Sequence, residues 1–380
     1  MLVYVIVYGM NFSFKKLSPF SGLFKKEEGV LGIDIGASSI KVAELRKEKE
    51  RAVLATYGEI SVGPYGGESV GRAVKLSEEK AVEALKDVLK ESNVKTAKAA
   101  VSIPLKASFV TIIKVPVIEG KNISQIIEME ARRYIPLAIS EVEMDWWILP
   151  EKIGENEEDG EAEGREKRKF ATVLLVAIHK DILVKYREIV SRAGLEIAAL
   201  EIESFSVIRS CTGREQGPTL VVDIGASSLK MVIVDSGIMM AAYSTSKGSQ
   251  DLTLAISHSL GIDFERGEEM KREIGLSDLP EHKEIRGIIE PFLEYMFSDI
   301  GKFIRDYQNK QSRAVSKVVL TGGGALLKGI VPFAVKKLSL ETALAEPFSK
   351  TEYPAFLAEV LKDAGPSFSV SLGLALRGLQ

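Results

Sequence analysis

At 380 residues the chain is long enough for two or more domains. Fifty basic against 53 acidic side chains leave a net charge of −3, which offers nucleic acid no global field. A single cysteine, Cys211, excludes an intrachain disulfide and a multi-cysteine metal site, and the scattered His179, His258 and His282 match no ligand spacing. This cysteine usage fits a reducing cytoplasm.

The first ten residues, MLVYVIVYGM, are apolar but too short to span a bilayer. Lys15, Lys16, Lys25 and Lys26 follow them, the reverse of a secretory signal. Met10 is an alternative start. Residues 1–28 read as a flexible tail, with contact to an anionic membrane surface as the other reading.

Leu31 to Ile35 is an apolar, β-branched run and predicts a buried strand. Gly36-Ala37-Ser38-Ser39 is a turn, and Ile40 to Leu45 a return strand. Ala52 to Ile60 is a third strand, followed by a Gly-rich loop at 63–71. Ser77 caps a predicted helix through Ser92, with Glu78 and Glu79 in its first turn. Ala99 to Ile103 is a strand closed by Pro104. Residues 104–196 change texture: strand 109–114, helix 123–134, strand 143–149, a charge-rich loop at 151–169, strand 172–178 and helix 180–193. Trp146 and Trp147 are adjacent in a strand, so they point to opposite faces, and one is expected in the core with the other at an interface. Residues 197–200 resume the earlier unit, and 201–210 read as helical.

Strands follow at 220–224, 229–234 and 238–243, then helices at 249–260 and 263–274. A longer helix over 284–309 is expected to break before Pro291. Ser316 to Leu320 is a strand leading into Thr321-Gly322-Gly323-Gly324, after which a helix is expected from Ala325 to Leu338. Glycines between a strand and a helix let backbone approach a ligand at a positive helix end. Neither the G-x-x-x-x-G-K-[ST] nor the G-x-G-x-x-G pattern occurs.

One stretch occurs twice. LGIDIGASSIK at 31–41 and LVVDIGASSLK at 220–230 agree at eight of eleven positions, with Asp34 and Asp223 189 residues apart. A period of half a chain is too long for a solenoid and reads as two related lobes. A tight turn of small residues directs backbone N–H groups at an anion. Ser38, Ser39, Ser227 and Ser228 add hydroxyl donors. Asp34 and Asp223, at the strand ends, suit a Mg²⁺ held through water. Two facing hairpins would grip one polyphosphate from both sides.

The two DIGxSS hairpins plus strand–TGGG–helix resemble the nucleotide pocket of the superfamily of actins, heat-shock chaperones and sugar kinases, over nearly the whole chain. The resemblance implies an α/β, two-lobed actin-like ATPase fold with duplicated RNase H-like lobes. It implies ATP or ADP with Mg²⁺ as cofactors. Phosphates would lie on Asp34, Gly36, Ala37, Ser38, Ser39 and Lys41 and on Asp223, Gly225, Ala226, Ser227 and Ser228. Adenosine would lie on Gly322, Gly323, Gly324 and Leu326 and on the E-x-x-K-R residues Glu268, Lys271 and Arg272. Glu203, in Glu203-Ser204-Phe205-Ser206, stands where the superfamily's E-P-x-A glutamate positions water. The proline is missing, so a catalytic role and turnover are both open, with hydrolysis slow or absent.

Placing the insert after Ile103 is similar to the FtsA branch, with its 1C subdomain. The opening GVLGIDIGASSIKVAEL, Arg132 to Pro136, Glu203 to Ser210 and Gly373 to Arg377 resemble the PilM family of actin-like proteins of type IV pilus assembly. That implies a first lobe from 29–103 and 197–217 with 366–380 packed on it, an inserted 1C subdomain at 104–196, and a second lobe at 218–365. It also implies a cytoplasmic protein at the inner membrane through its partners. Those partners would be the N-terminal peptide of a PilN-type membrane protein, held in a groove between the first lobe and the insert, other platform proteins and the assembly ATPase. A sugar-type kinase and an FtsA-like filament are the alternatives.

Overall fold

Two five-stranded sheets share one topology. The computed structural model describes residues 29–118, 122–150, 170–213, 215 and 217–379; the tail at 1–28 and the charged stretch at 151–169 lie outside them. In the first sheet, β1 (Gly29–Ile35), β2 (Ser39–Glu48) and β3 (Arg51–Ser61) form an antiparallel meander. Helix α1 (Glu78–Glu91) follows, and Ser77 caps it by accepting from Lys80 N. β4 (Lys98–Ile103) then lies parallel to β1.

The chain next leaves this sheet for β5 (Ser108–Pro116), α2 (Ile123–Ala131), β6 (Val142–Ile148) and β7 (Phe170–His179). It returns through α3 (Lys180–Arg192) to β8 (Glu196–Ile202), parallel to β4. The first sheet has the order β3-β2-β1-β4-β8. After α4 (Glu203–Cys211), β9 (Thr219–Ile224), β10 (Leu229–Asp235) and β11 (Ile238–Thr245) repeat the meander. Helices α5 (Ser249–Leu260), α6 (Phe264–Ile274) and α7 (Lys283–Gln311) lead to β12 (Lys317–Thr321), α8 (Ile330–Leu338) and β13 (Glu341–Leu344). The second sheet reads β11-β10-β9-β12-β13, the same order with the same directions. Helices α9 (Ala358–Ala364) and α10 (Ser369–Gly378) close the chain.

The short inserted sheet, β5-β7-β6, is antiparallel. Its alternation feeds two cores. Val173, Leu175 and Ala177 meet Ile126, Ile127 and Ala131 of α2. Leu174, Val176 and Ile178 join the main core of the two large sheets. The tryptophans divide in the same way: Trp146 packs on the α2 side and Trp147 on the main core. Both are half-buried, so the expected division into one core and one exposed side chain is not seen.

Helix α3 also joins the main core, through Leu183, Ile189 and Val190, and packs on α1 and β8, although the sequence grouped it with the insert. Residues 347–364, which the sequence grouped with the second lobe, lie on the face of the first sheet that carries α10. There Phe348, Leu361 and Phe368 pack on Ala43, Leu45 and Leu54, and Glu352 pairs its backbone with Ala52 and Leu54. Helix α10 lies flush on β1 and α4. A Cβ on Gly32 would come within 1.8 Å of Ser371 O, and one on Gly373 within 2.0 Å of Ser206 O.

Two further expectations change. α7 runs unbroken through Pro291, because its buried stripe from Ile285 to Tyr307 holds both halves on the second-lobe core. Tertiary packing here outweighs the lost hydrogen bond. The helix expected from Ala325 starts only at Ile330. Gly329 has φ +82°, and Gly323–Leu326 form a 3-10 turn. The glycines therefore offer a tight turn, not an α-helix N-terminus.

Where the insert meets the first lobe, β6 buries Asp145. Its Oδ1 accepts from Trp146 N at 2.9 Å, and its Oδ2 is buried without a partner. Burial pushes this carboxyl up to about 7, against the Trp146 amide and Arg377, with Glu143 adding to the rise. The folded state thus holds a proton that the unfolded state releases near pH 3.8. Stability from this group is present below that pH and is lost as pH rises through about 7. Urea unfolding of Asp145→Asn should show a variant more stable than wild type at pH 8, with the gap closing towards pH 4. A pH-independent difference would contradict this.

Candidate functional site

The repeated sequence folds into matching hairpins. Leu31 and Ile33 on β1, and Leu220 and Val222 on β9, are buried and fix each strand's register. Each turn closes in the same way: Gly36 N donates to Ser39 O at 3.0 Å, and Gly225 N to Ser228 O at 2.9 Å. Each hairpin sets an aspartate across from a lysine, Asp34 opposite Lys41 and Asp223 opposite Lys230.

The two turns face one cleft of about 550 Å³ between the sheets. All nineteen residues singled out from the sequence line it. These are Asp34, 36–39 and Lys41 from the first hairpin, and Asp223 and 225–228 from the second. They also include Glu203, the E-x-x-K-R residues Glu268, Lys271 and Arg272, and Gly322, Gly323, Gly324 and Leu326.

The paired lysines differ in their partners. Lys41 bonds to Ser39 Oγ and pairs with Glu59 at 3.0 Å. Lys230 lies between two carboxylates, 2.9 Å from Asp223 Oδ2 and 2.8 Å from Glu203 Oε2. Burial disfavours this ammonium, but Asp223 and Glu203 hold it well above the ordinary lysine range, so it stays charged. Asp34 accepts from Ser102 Oγ at 2.9 Å, and burial raises its carboxyl above the usual carboxylate value against the pull of Lys41 and Lys230.

The other end of the cleft is built on α6. Glu268 accepts from Thr253 Oγ1 and Lys271 Nζ at 2.6 Å each, and from Arg272 Nε at 2.7 Å. Lys271 is buried, whereas Arg272 leaves its guanidinium exposed at the mouth, where Leu326 is exposed as well. A flat cation and an apolar side chain at a cleft mouth suit a planar ring. The glycines of the turn are not equivalent. A Cβ on Gly322 would meet Asp223 Oδ1 at 2.3 Å, and one on Gly324 would meet Ile224 Cγ2 at 2.4 Å. A Cβ on Gly323 would meet nothing within 4 Å.

A strap ties the hairpin tips together. Val74 N donates to Ala37 O at 2.9 Å, Ala73 N to Gln250 Oε1 at 2.6 Å, and Gln250 N to Ala226 O at 2.9 Å. Arg72 also lies 5.6 Å from the Phe264 ring centroid, across the lobes. Sequence reasoning missed Lys230, Glu59 and Gln250. Lys230 carried a signal, because it closes the second copy of the repeat as Lys41 closes the first. Glu59 and Gln250 carried none, since only the tertiary fold brings them in.

The comparisons agree with this geometry. A family model for the type IV pilus assembly protein PilM matches residues 32–379. The cell division protein FtsA of Helicobacter pylori is 26% identical over 230 residues, 53% of this chain and 46% of that protein, so the chain spans about half the length of that curated relative. Among solved structures, the PilM–PilN type IV pilus biogenesis complex has TM-score 0.76 at 23% identity, covering 93% of this chain and 100% of that one. The ethanolamine utilization protein EutJ of Carboxydothermus hydrogenoformans has TM-score 0.53 at 17% identity, with 96% and 92% covered. MreB5 of Spiroplasma citri bound to AMPPNP has TM-score 0.50 at 14% identity, with 93% and 96% covered. These structures share the two-lobed actin-like fold described above. With nearly its full described length matched, the chain belongs to the PilM family of type IV pilus assembly proteins.

Proposed function

We propose that the cleft binds ATP or ADP with Mg²⁺, and that the nucleotide sets the lobe arrangement of a pilus-platform protein. The observation that carries this is the convergence of both hairpins, the E-x-x-K-R helix and the glycine turn on one cleft. Lys41, Lys230 and the serine-rich turns suit a polyphosphate, and Arg272 with Leu326 suits the base. MreB5, which shares the fold, was solved with AMPPNP.

The donor set fits Mg²⁺ of one kind. Among the described residues no group of three or more His, Cys, Asp or Glu could hold a metal. Mg²⁺ that keeps its waters needs one or two carboxylates plus phosphate oxygens, which Asp34 and Asp223 suit. Bound there, the ion would neutralise phosphate charge. The protein's own lysines supply part of that neutralisation directly. Every acid lining the cleft holds a protein donor: Asp34 from Ser102, Glu59 from Lys41, Asp223 and Glu203 from Lys230, and Glu268 from Lys271. The family match to pilus assembly proteins favours a binding role over sugar phosphorylation.

The partner reading is the N-terminal peptide of a PilN-type protein, supported by the solved PilM–PilN complex. The insert offers exposed Met129, Tyr134 and Leu137 near the end of α2, and Val117, Ile118 and Phe170 near the β5–β7 end. Exposed apolar side chains on one small unit suit a peptide with a few apolar anchors, here including the α2 face of the insert rather than the groove expected between insert and first lobe. Among the described residues no helix is long and apolar enough to cross a membrane. Attachment to the inner membrane of a cytoplasmic protein would then run through that partner.

Calorimetry with ATP and Mg²⁺ tests the pocket. Gly323→Val projects into open cleft and should weaken ATP binding by more than tenfold without loss of fold. Asp34→Ala should remove most of the Mg²⁺ dependence; unchanged affinity in both would refute the assignment. Steady-state turnover should stay below about 1 s⁻¹, beneath ordinary enzymes, because Glu203 already serves Lys230 and Leu105 N. A faster rate would contradict that view of the nucleotide. For the partner, Met129→Asp and Tyr134→Asp, both exposed, should each weaken a synthetic PilN-type peptide about tenfold or more in fluorescence anisotropy. Wild-type affinity in both would put the peptide elsewhere.

A further inference from the structure

Glu203, the first residue of α4, is 7% exposed, and both its oxygens are engaged. Oε2 lies 2.8 Å from Lys230 Nζ, and Oε1 accepts from Leu105 N at 2.8 Å. Leu105 follows Pro104 in the turn that carries the chain from β4 into β5, the first inserted strand. Lys230 belongs to the second hairpin and also holds Asp223 at 2.9 Å. One side chain therefore touches the phosphate side of the second lobe and the root of the insert.

An ammonium has three donors, and Asp223 and Glu203 take two of Lys230's. The third suits a phosphate oxygen in the cleft. A buried carboxylate does not readily lose a partner, because an uncompensated buried charge is strongly destabilising. A phosphate that fixes Lys230 narrows the excursions open to Glu203, and with them those of the Leu105 amide bonded to it. We infer that Glu203 is a positioning residue that transmits phosphate occupancy of the cleft to the inserted segment, through Lys230 on one side and the Leu105 amide on the other. The inference deepens the nucleotide reading above and rests on it.

The test is amide hydrogen exchange of the full chain, with and without saturating ATP and Mg²⁺, read on peptides covering 104–116. Calorimetry on the same samples sets occupancy. In wild type, ATP should slow exchange at the 104–108 turn at least about fivefold, the low end of ordinary coupling between sites. Glu203→Gln keeps an acceptor for Leu105 N but loses the ion pair to Lys230. Compared at its own saturating ATP, it should lose the ATP-dependent slowing. A purely structural role would change exchange equally with and without ATP. Wild type that binds ATP with no change at 104–108 overturns the inference alone, as does a Gln variant that keeps the slowing. Wild type that binds no ATP overturns the nucleotide reading and this inference together. The wild-type arm decides even where Glu203→Gln fails to fold.

Discussion

The structure depends on charge held inside a cleft. Asp34, Asp223 and Glu203 bring three carboxylates to the line where the two lobes meet, and Lys41 and Lys230 bring two ammonium groups. Each lobe supplies its Asp–Lys pair from one hairpin, at the same cross-strand register. The buried strands behind them allow no slip, since a one-residue shift would turn every core side chain to the other face. Burial raises Asp34 and so works against its charge, whereas Asp223 and Glu203 hold Lys230 charged.

The lobes are duplicated, but the site is not symmetric. Lys41 turns to Ser39 and Glu59 within its own lobe. Lys230 reaches across to Glu203, the first residue after the first lobe's last strand. The first hairpin is thus tied locally and the second is tied to its neighbour. The strap through Val74, Ala73 and Gln250 joins the tips again at the mouth. A ligand between the turns would therefore meet a cleft already held at two levels, by ions beneath and by the Ala73 N to Gln250 Oε1 bond above. β5 of the insert also touches β11 of the second sheet, so the inserted unit borders both lobes.

Much of this was legible in the sequence, for a physical reason. A tight anion-binding turn needs small residues in fixed order, and the order occurs twice. Asp34, Asp223 and the serines were identified from that alone, and the TGGG turn from its glycines. The misses came where tertiary packing overrules local chemistry. Pro291 is a local helix breaker, but the buried face of α7 carries the helix through it. The adjacent tryptophans gave the right alternation but not the second core against which Trp146 packs half-buried. Gly329 looked like one more helical residue, but its positive φ, with Leu276 where a Cβ would stand, delays α8 to Ile330. Residues 347–364 follow second-lobe strands in sequence but pair with β3, which no periodicity predicts.

The central claim is that both hairpins grip one polyphosphate. A crystal structure of the full chain with a non-hydrolysable ATP analogue and Mg²⁺ tests it most directly. The account predicts the phosphates between residues 36–39 and 225–228, within hydrogen-bonding distance of Lys230, and the base between Arg272 and Leu326. Phosphates held by one lobe alone, or density for the analogue elsewhere on the molecule, would contradict it.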